Sequence, residues 1–284
     1  MGVESTPAPS TGPKPSRAGR NLPAAVGVGV GLGALIIGSL YWQKVLFTFL
    51  VLAAVLLAVD EMIKALRTGG AVIPRVPLFV GTTAMLLAAY FGGPMALLVA
   101  LAVTVLGTIF WRMPGGSVGF VRDVTAGVFL IGYVPLLAGF AILLVQPDGD
   151  GPGRVLTFFL VVVASDVGGY AAGVLFGKHP MAPTISPKKS WEGFAGSTLA
   201  CIGAGIASVV FLLDGNWWVG AIVGAVAVVT ATVGDLGESM IKRDLGIKDM
   251  SNLLPGHGGV MDRLDSLLAT APAMWLLLHL LVKG

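Results

Sequence analysis

Nine apolar runs, most of them close to the length that spans a bilayer, dominate this sequence. They cover residues 22–41, 45–60, 76–92, 94–111, 123–145, 154–176, 194–213, 217–238 and 265–282. A membrane-crossing helix needs about 20 mostly apolar residues, since in hydrocarbon every backbone N–H and C=O must find its partner within the segment. The alternating pattern of barrel strands is absent. Charged residues make up only 12% of the 284 and the mean hydropathy is +0.88, against about 25% charged residues in soluble domains. That balance excludes an ordinary soluble enzyme, a disordered chain and a nucleic-acid-binding module. The expected fold is an all-α polytopic membrane protein with about nine transmembrane helices.

Charge placement orients it. Only Gly92-Gly93-Pro94 separates the third run from the fourth, which predicts a tight hairpin. If the nine runs cross in turn from a cytoplasmic N-terminus, the outer segments hold Lys44, Arg154 and Lys283. The other 15 of the 18 Lys and Arg residues lie inside, as the positive-inside rule requires. Residues 1–21, rich in Pro, Ser, Thr and Gly, read as a disordered cytoplasmic tail. Residues 22–150 read as packing helices with dimer contacts, and 151–284 as the catalytic helices with their cytoplasmic loops. Gly169, Gly173 and Gly177, and Gly220 with Gly224, recur at a spacing that lets helices approach closely in lipid. Cys201 stands alone, so no disulfide framework exists, and it reads as a small core residue.

The chemistry concentrates in residues 235–265, where acids and bases interleave around Pro255-Gly256-His257-Gly258-Gly259. Asp235, Ser239 and Lys242 share one helical face by their i, i+4, i+7 spacing. Asp262 and Asp265 share another, at the start of the last helix. A helix N-terminus favours anions, and the preceding glycines would leave backbone N–H groups free for a ligand. Carboxylates beside Lys and Arg suit a hard divalent cation with a phosphorylated substrate; a network of membrane-edge salt bridges is the alternative. Asp166 lies twelve residues after Arg154, about 18 Å along a helix, which places it in the inner half of the bilayer, level with the charged cluster. Helix packing through Ser165 would also account for it. The loop Ser186-Pro187-Lys188-Lys189-Ser190-Trp191-Glu192 suits a lipid phosphate at headgroup level, or is simply a basic inner loop. His257 stands out for its glycine neighbours, with turn stabilisation as its plainer role; His179 and His279 suggest no function.

The stretch from Ser239 through Lys242-Arg243 and Lys248-Asp249 to Leu254-Pro255-Gly256-His257-Gly258-Gly259-Val260-Met261-Asp262-Arg263-Leu264-Asp265 resembles the signature of the phosphatidate cytidylyltransferase (CDP-diacylglycerol synthase) family, without departure. Gly234-Asp235 and the Ser186–Ser190 loop also fit. The likeness is specific from about residue 160 to 270; earlier residues match only in being hydrophobic. It implies an integral membrane enzyme, in a bacterial inner membrane with its active site facing the cytoplasm, that joins CTP and phosphatidate into CDP-diacylglycerol and pyrophosphate. It implies a homodimer and a divalent cation, usually magnesium, with a second ion allowed. Asp235 and Asp262 would bind metal, with Asp265 close by. Lys242, Arg243 and Arg263 would clamp the triphosphate, and Lys188 and Lys189 would hold phosphate groups. Ser186, Ser239, Lys248, His257, Gly258 and Asp166 complete the expected substrate contacts.

Two rivals use overlapping features. A CTP-dependent polyprenol or dolichol kinase needs the same cation and basic clamps. A secondary transporter could use Asp166, but it calls for an internal repeat and a midplane site, and this sequence has neither. A CDP-alcohol phosphotransferase would need an aspartate motif that is missing here.

Overall fold

The computed structural model describes residues 22–146, 149–251, 253 and 258–282. The tail expected over 1–21 and the substrate contact expected of His257 lie outside the described residues. The elements are α1 (Leu22–Trp42), α2 (Lys44–Thr68), α3 (Arg75–Arg112), α4 (Phe120–Ile131), α5 (Leu137–Val145), α6 (Gly151–Phe176), β1 (Pro180–Ala182), β2 (Ser186–Ser190), α7 (Trp191–Leu213), α8 (Trp217–Asp244) and α9 (Met261–Leu281). Seven helical stretches are long and apolar enough to cross a membrane, so the chain is an all-α polytopic membrane protein. A strand pair is the one departure among the described residues: the segment read as a loop is an antiparallel hairpin, with Pro180 opposite Ser190 and Ala182 opposite Ser186.

The longest stretch, Arg75–Gly115, has 41 residues and would run about 60 Å if straight, twice a bilayer core. It folds back instead. A Cβ on Gly81 would collide with the Thr104 side chain, although the two are 23 positions apart and symmetric about Gly92-Gly93. The turn is at Gly93, whose φ of 69° is open to glycine, and Pro94 cannot continue the preceding helix. The predicted hairpin is therefore present. Between α4 and α5 the chain stays helical through a π turn, Gly132–Leu136, where Pro135 lacks the N–H a regular turn would use.

Glycine packing governs the C-terminal half. A Cβ on Gly168 would lie 2.8 Å from the Gly196 carbonyl, and one on Gly220 or Gly224 would strike the backbone of Gly205 or Cys201. These contacts bring α6 against α7 and α7 against α8 nearly backbone to backbone. Cys201 is buried there, its thiol donating to the Val161 carbonyl at 3.2 Å, as its reading as a core residue anticipates.

The bundle has two distinct ends. At one, Arg154 is 5% exposed and donates to the carbonyls of Leu278 (2.9 Å) and Val282 (3.2 Å), satisfying the last turn of α9. Gln146 donates to the Tyr90 carbonyl beside the α3 turn. At the other end, Asp123 is 1% exposed and accepts from the Val72 N–H (2.8 Å) and Arg112 Nε (2.9 Å). The strand hairpin and the residues just after α8 lie at this second end, where the charged cluster gathers.

Candidate active site

Helices α8 and α9 cross closely because position 234 is glycine: a Cβ there would sit 2.5 Å from the Asp265 carbonyl oxygen and 2.7 Å from the Ala269 Cβ. The polar seam between them has two rungs. In the deeper one, Ser266 Oγ donates to Asp235 Oδ1 at 2.9 Å and the Ser266 N–H to Asp265 Oδ1 at 2.7 Å. The Asp235 and Asp265 carboxyls stand within hydrogen-bonding reach of each other. About one turn nearer the end of α8, Lys242 Nζ donates to Glu238 and, at 2.8 Å, to Asp262 Oδ1. The 235, 238, 242 spacing of α8 thus meets the 262, 265, 266 spacing of α9, each on one face.

The strand hairpin closes the deeper rung. Ser190 ends β2 and caps α7, accepting from the Gly193 N–H at 3.1 Å. Glu192 fixes the other strand's approach, accepting from the N–H groups of Lys178 (3.1 Å) and His179 (3.2 Å). So held, the hairpin extends Lys189 across to Asp235, Nζ to Oδ2 at 2.6 Å. A cleft of about 230 Å³ lies beneath, lined among others by Asp166, Tyr170, Lys188, Lys189, Ser190 and Asp235. Asp166 therefore shares a surface with the charged seam, while Ser165 serves packing by accepting from Ser197 Oγ at 2.7 Å.

The remaining predicted residues divide. Arg243 Nε donates to the Ile185 carbonyl at 3.4 Å, tying α8 to the hairpin. Ser186 pairs in β2, Ser239 is half-buried on α8, and Lys248 is exposed. Arg263 is exposed on α9, beside an apolar groove. Gly258 has φ +83°, and a Cβ there would lie 3.1 Å from Asp262 Oδ2, so a side chain would be strained and crowded.

One expectation is corrected. The N–H groups of Gly259, Val260 and Met261, at the start of α9, are not free for a ligand. Glu61 of α2, 3% exposed, accepts from the N–H groups of Val260 (3.0 Å) and Met261 (2.8 Å) and from Ser251 Oγ. Asp262 Oδ2 accepts from the N–H groups of Gly259 (2.8 Å) and Met250 (3.0 Å). The positive end of the helix is satisfied by the protein's own carboxylates. Sequence reasoning missed Glu61, which lies about 200 positions away just past the second apolar run, and gave Glu238 and Ser266 no role. Glu238 left a signal, since it stands i−4 to Lys242 on the charged face.

As a donor set, the seam fits a hard divalent cation. Its acids, Asp235, Glu238, Asp262 and Asp265, are the oxygen donors that could hold one, and Glu238 Oε1 is buried without a hydrogen-bond partner. Among the described residues no three such groups already surround one point; Lys189 and Lys242 neutralise the acids in place.

Fold and site together define a polytopic membrane protein with a charged cleft at one end of its bundle. The chain belongs to the cytidylyltransferase family, whose model matches residues 23–281. It is 45% identical to the phosphatidate cytidylyltransferase of Mycobacterium bovis over 99% of this chain and 94% of that one. It is 46% identical to the Mycobacterium leprae enzyme of the same name over 93% and 90%. With the Pseudomonas aeruginosa phosphatidate cytidylyltransferase it shares 39% identity over 70% of this chain and 76% of that one.

Proposed function

We propose that the chain transfers CMP from CTP to phosphatidate, giving CDP-diacylglycerol and pyrophosphate. The observation that carries this reading is the α8–α9 seam, roofed by Lys189 and built within a chain of the cytidylyltransferase family. A phosphate monoester has its second pKa near 6, so phosphatidate arrives largely ionised. One of its phosphate oxygens attacks the α-phosphorus of CTP. A new P–O bond forms, the bond from the α-phosphorus to the α,β-bridging oxygen breaks, and its electron pair leaves with pyrophosphate. No side chain has to remove a proton. The protein's task is to bring two polyanions together and stabilise the departing charge.

In this reading Lys188 and Lys189 hold phosphate groups, and Lys242, Arg243 and Arg263 clamp the triphosphate, with Lys189 and Lys242 releasing their carboxylate partners as substrate enters. Asp235 and Asp262, with Asp265 beside Asp235, would hold magnesium, alone or with a second ion. The ion would neutralise charge on the triphosphate. Asp262 also joins Met250 to Gly259 through its two backbone hydrogen bonds.

The same reading gives nine crossings: α1, both arms of α3, the α4–α5 rod, and α2, α6, α7, α8 and α9. Its positive-inside balance sets the N-terminus and the charged seam at the cytoplasmic face of a bacterial inner membrane. A homodimer is part of the proposal. A polyprenol kinase would need a base for its hydroxyl substrate, and the family assignment favours neither that nor a transporter.

The test is turnover by the purified protein. With magnesium, CTP and phosphatidate it forms one cytidylylated lipid per pyrophosphate, and Asp235→Asn abolishes this while eluting as folded protein. No lipid product from the wild type defeats the reading; full activity in the variant removes Asp235 from the site.

A further inference from the structure

Beside the charged seam, on the opposite side of α9, runs an apolar groove of about 410 Å³ between α2, α5, α6 and α9. We propose that it seats an acyl chain of the lipid substrate, with Arg263 at its mouth, where the lipid phosphate approaches the triphosphate that Arg263 clamps. This rests on the function proposed above and adds where the tail lies and which residues set its length.

Three observations converge. Arg263 is the single charged residue of a lining otherwise aliphatic or aromatic, which complements an anionic head joined to a hydrocarbon tail. Arg263 directly follows Asp262, so a phosphate held there stands next to the seam. The α9 side of the lining runs from Val260 to Ala271, about 16 Å by helical rise and so about the depth of one leaflet. The groove also has a floor: Phe47 and Phe158 are 1% and 2% exposed, and Phe47 meets Phe159 edge to face at 6.5 Å. A closed, aromatic end measures chain length. Half-buried Ala54 of α2 and Ala141 of α5 keep it open, so the N-terminal helices serve substrate selection as well as packing.

The test compares KM for dioleoyl and dioctanoyl phosphatidate in mixed micelles with the full-length protein. A phenyl ring displaces several methylenes, each worth about 0.8 kcal/mol when buried. Ala54→Phe and Ala141→Phe should therefore each raise the dioleoyl-to-dioctanoyl KM ratio about tenfold. Val103→Phe, on the outward face of α3 (63% exposed), should leave the ratio at its wild-type value. If a phenylalanine variant is inactive with both lipids, the same ratio is read on Ala54→Leu and Ala141→Leu. A ratio equal to wild type in the active variants overturns the proposal, as does an unchanged ratio with altered oligomer size, which would mark the groove as a contact between copies. A wild type that cytidylylates neither lipid defeats the function itself; one that turns over both but ignores groove width defeats only the groove.

Discussion

At the scale of single residues, the account turns on cations that exchange internal carboxylates for substrate phosphates. Lys189 reaches Asp235 at 2.6 Å, while Lys188 lines the same cleft. A charge-assisted contact is worth about 1.5–3 kcal/mol. Lys189→Ala should therefore cost roughly ten- to a hundredfold in kcat/KM, measured by lipid product formation, with Lys188→Ala similar or milder. Wild-type rates in both variants would reduce the hairpin to a topology signal. Most of these side chains were legible in the sequence, because helical spacing put Asp235 and Lys242 on one face and Asp262 and Asp265 on another. The spacing could not reveal the partners across the seam. That Ser266 would bond Asp235, or that Lys242 would reach Asp262, depends on how closely α8 and α9 cross, which Gly234 decides only once the helices meet.

Among the elements, the decisive joint is the start of α9. Its N–H groups are held by Glu61 from α2 and by Asp262, so the charged turn is fastened to the N-terminal half. Glu61→Ala leaves two buried N–H donors and Ser251 without their acceptor, a loss of about 1–3 kcal/mol for each unsatisfied buried group. The expected result is a lowered Tm in detergent, with new protease cleavage within 249–260 ahead of other sites. Cleavage elsewhere first would show that Glu61 does not hold this turn. Nothing local in the sequence marks Glu61, since an acid at the end of an apolar run, beside Asp60 and near Lys64, reads as an ordinary charged helix end until another helix packs against it. The α3 hairpin lies at the other extreme: Gly92-Gly93-Pro94 is a local instruction, and the structure follows it. The β1–β2 pair was not legible because Lys178–Ser190 has no strand alternation, and its shape comes from Glu192 and the Ser190 cap.

Across the whole molecule, the apolar runs settle the class of fold and the charge balance settles its proposed orientation. A cysteine placed at exposed Thr184, in the hairpin turn, after Cys201→Ala, should react with an impermeant maleimide only from the cytoplasmic side of sealed vesicles. Reaction from the outside would invert the proposed topology and put the cleft on the wrong face for CTP. The most direct measurement follows the phosphorus. Attack on the α-phosphorus carries CMP to the lipid, whereas a kinase carries only the γ-phosphate. Purified protein supplied with phosphatidate and magnesium is predicted to move label from α-labelled CTP into the lipid fraction and to leave γ-label in released pyrophosphate. Label in lipid from the γ position, with none from α, would contradict the account.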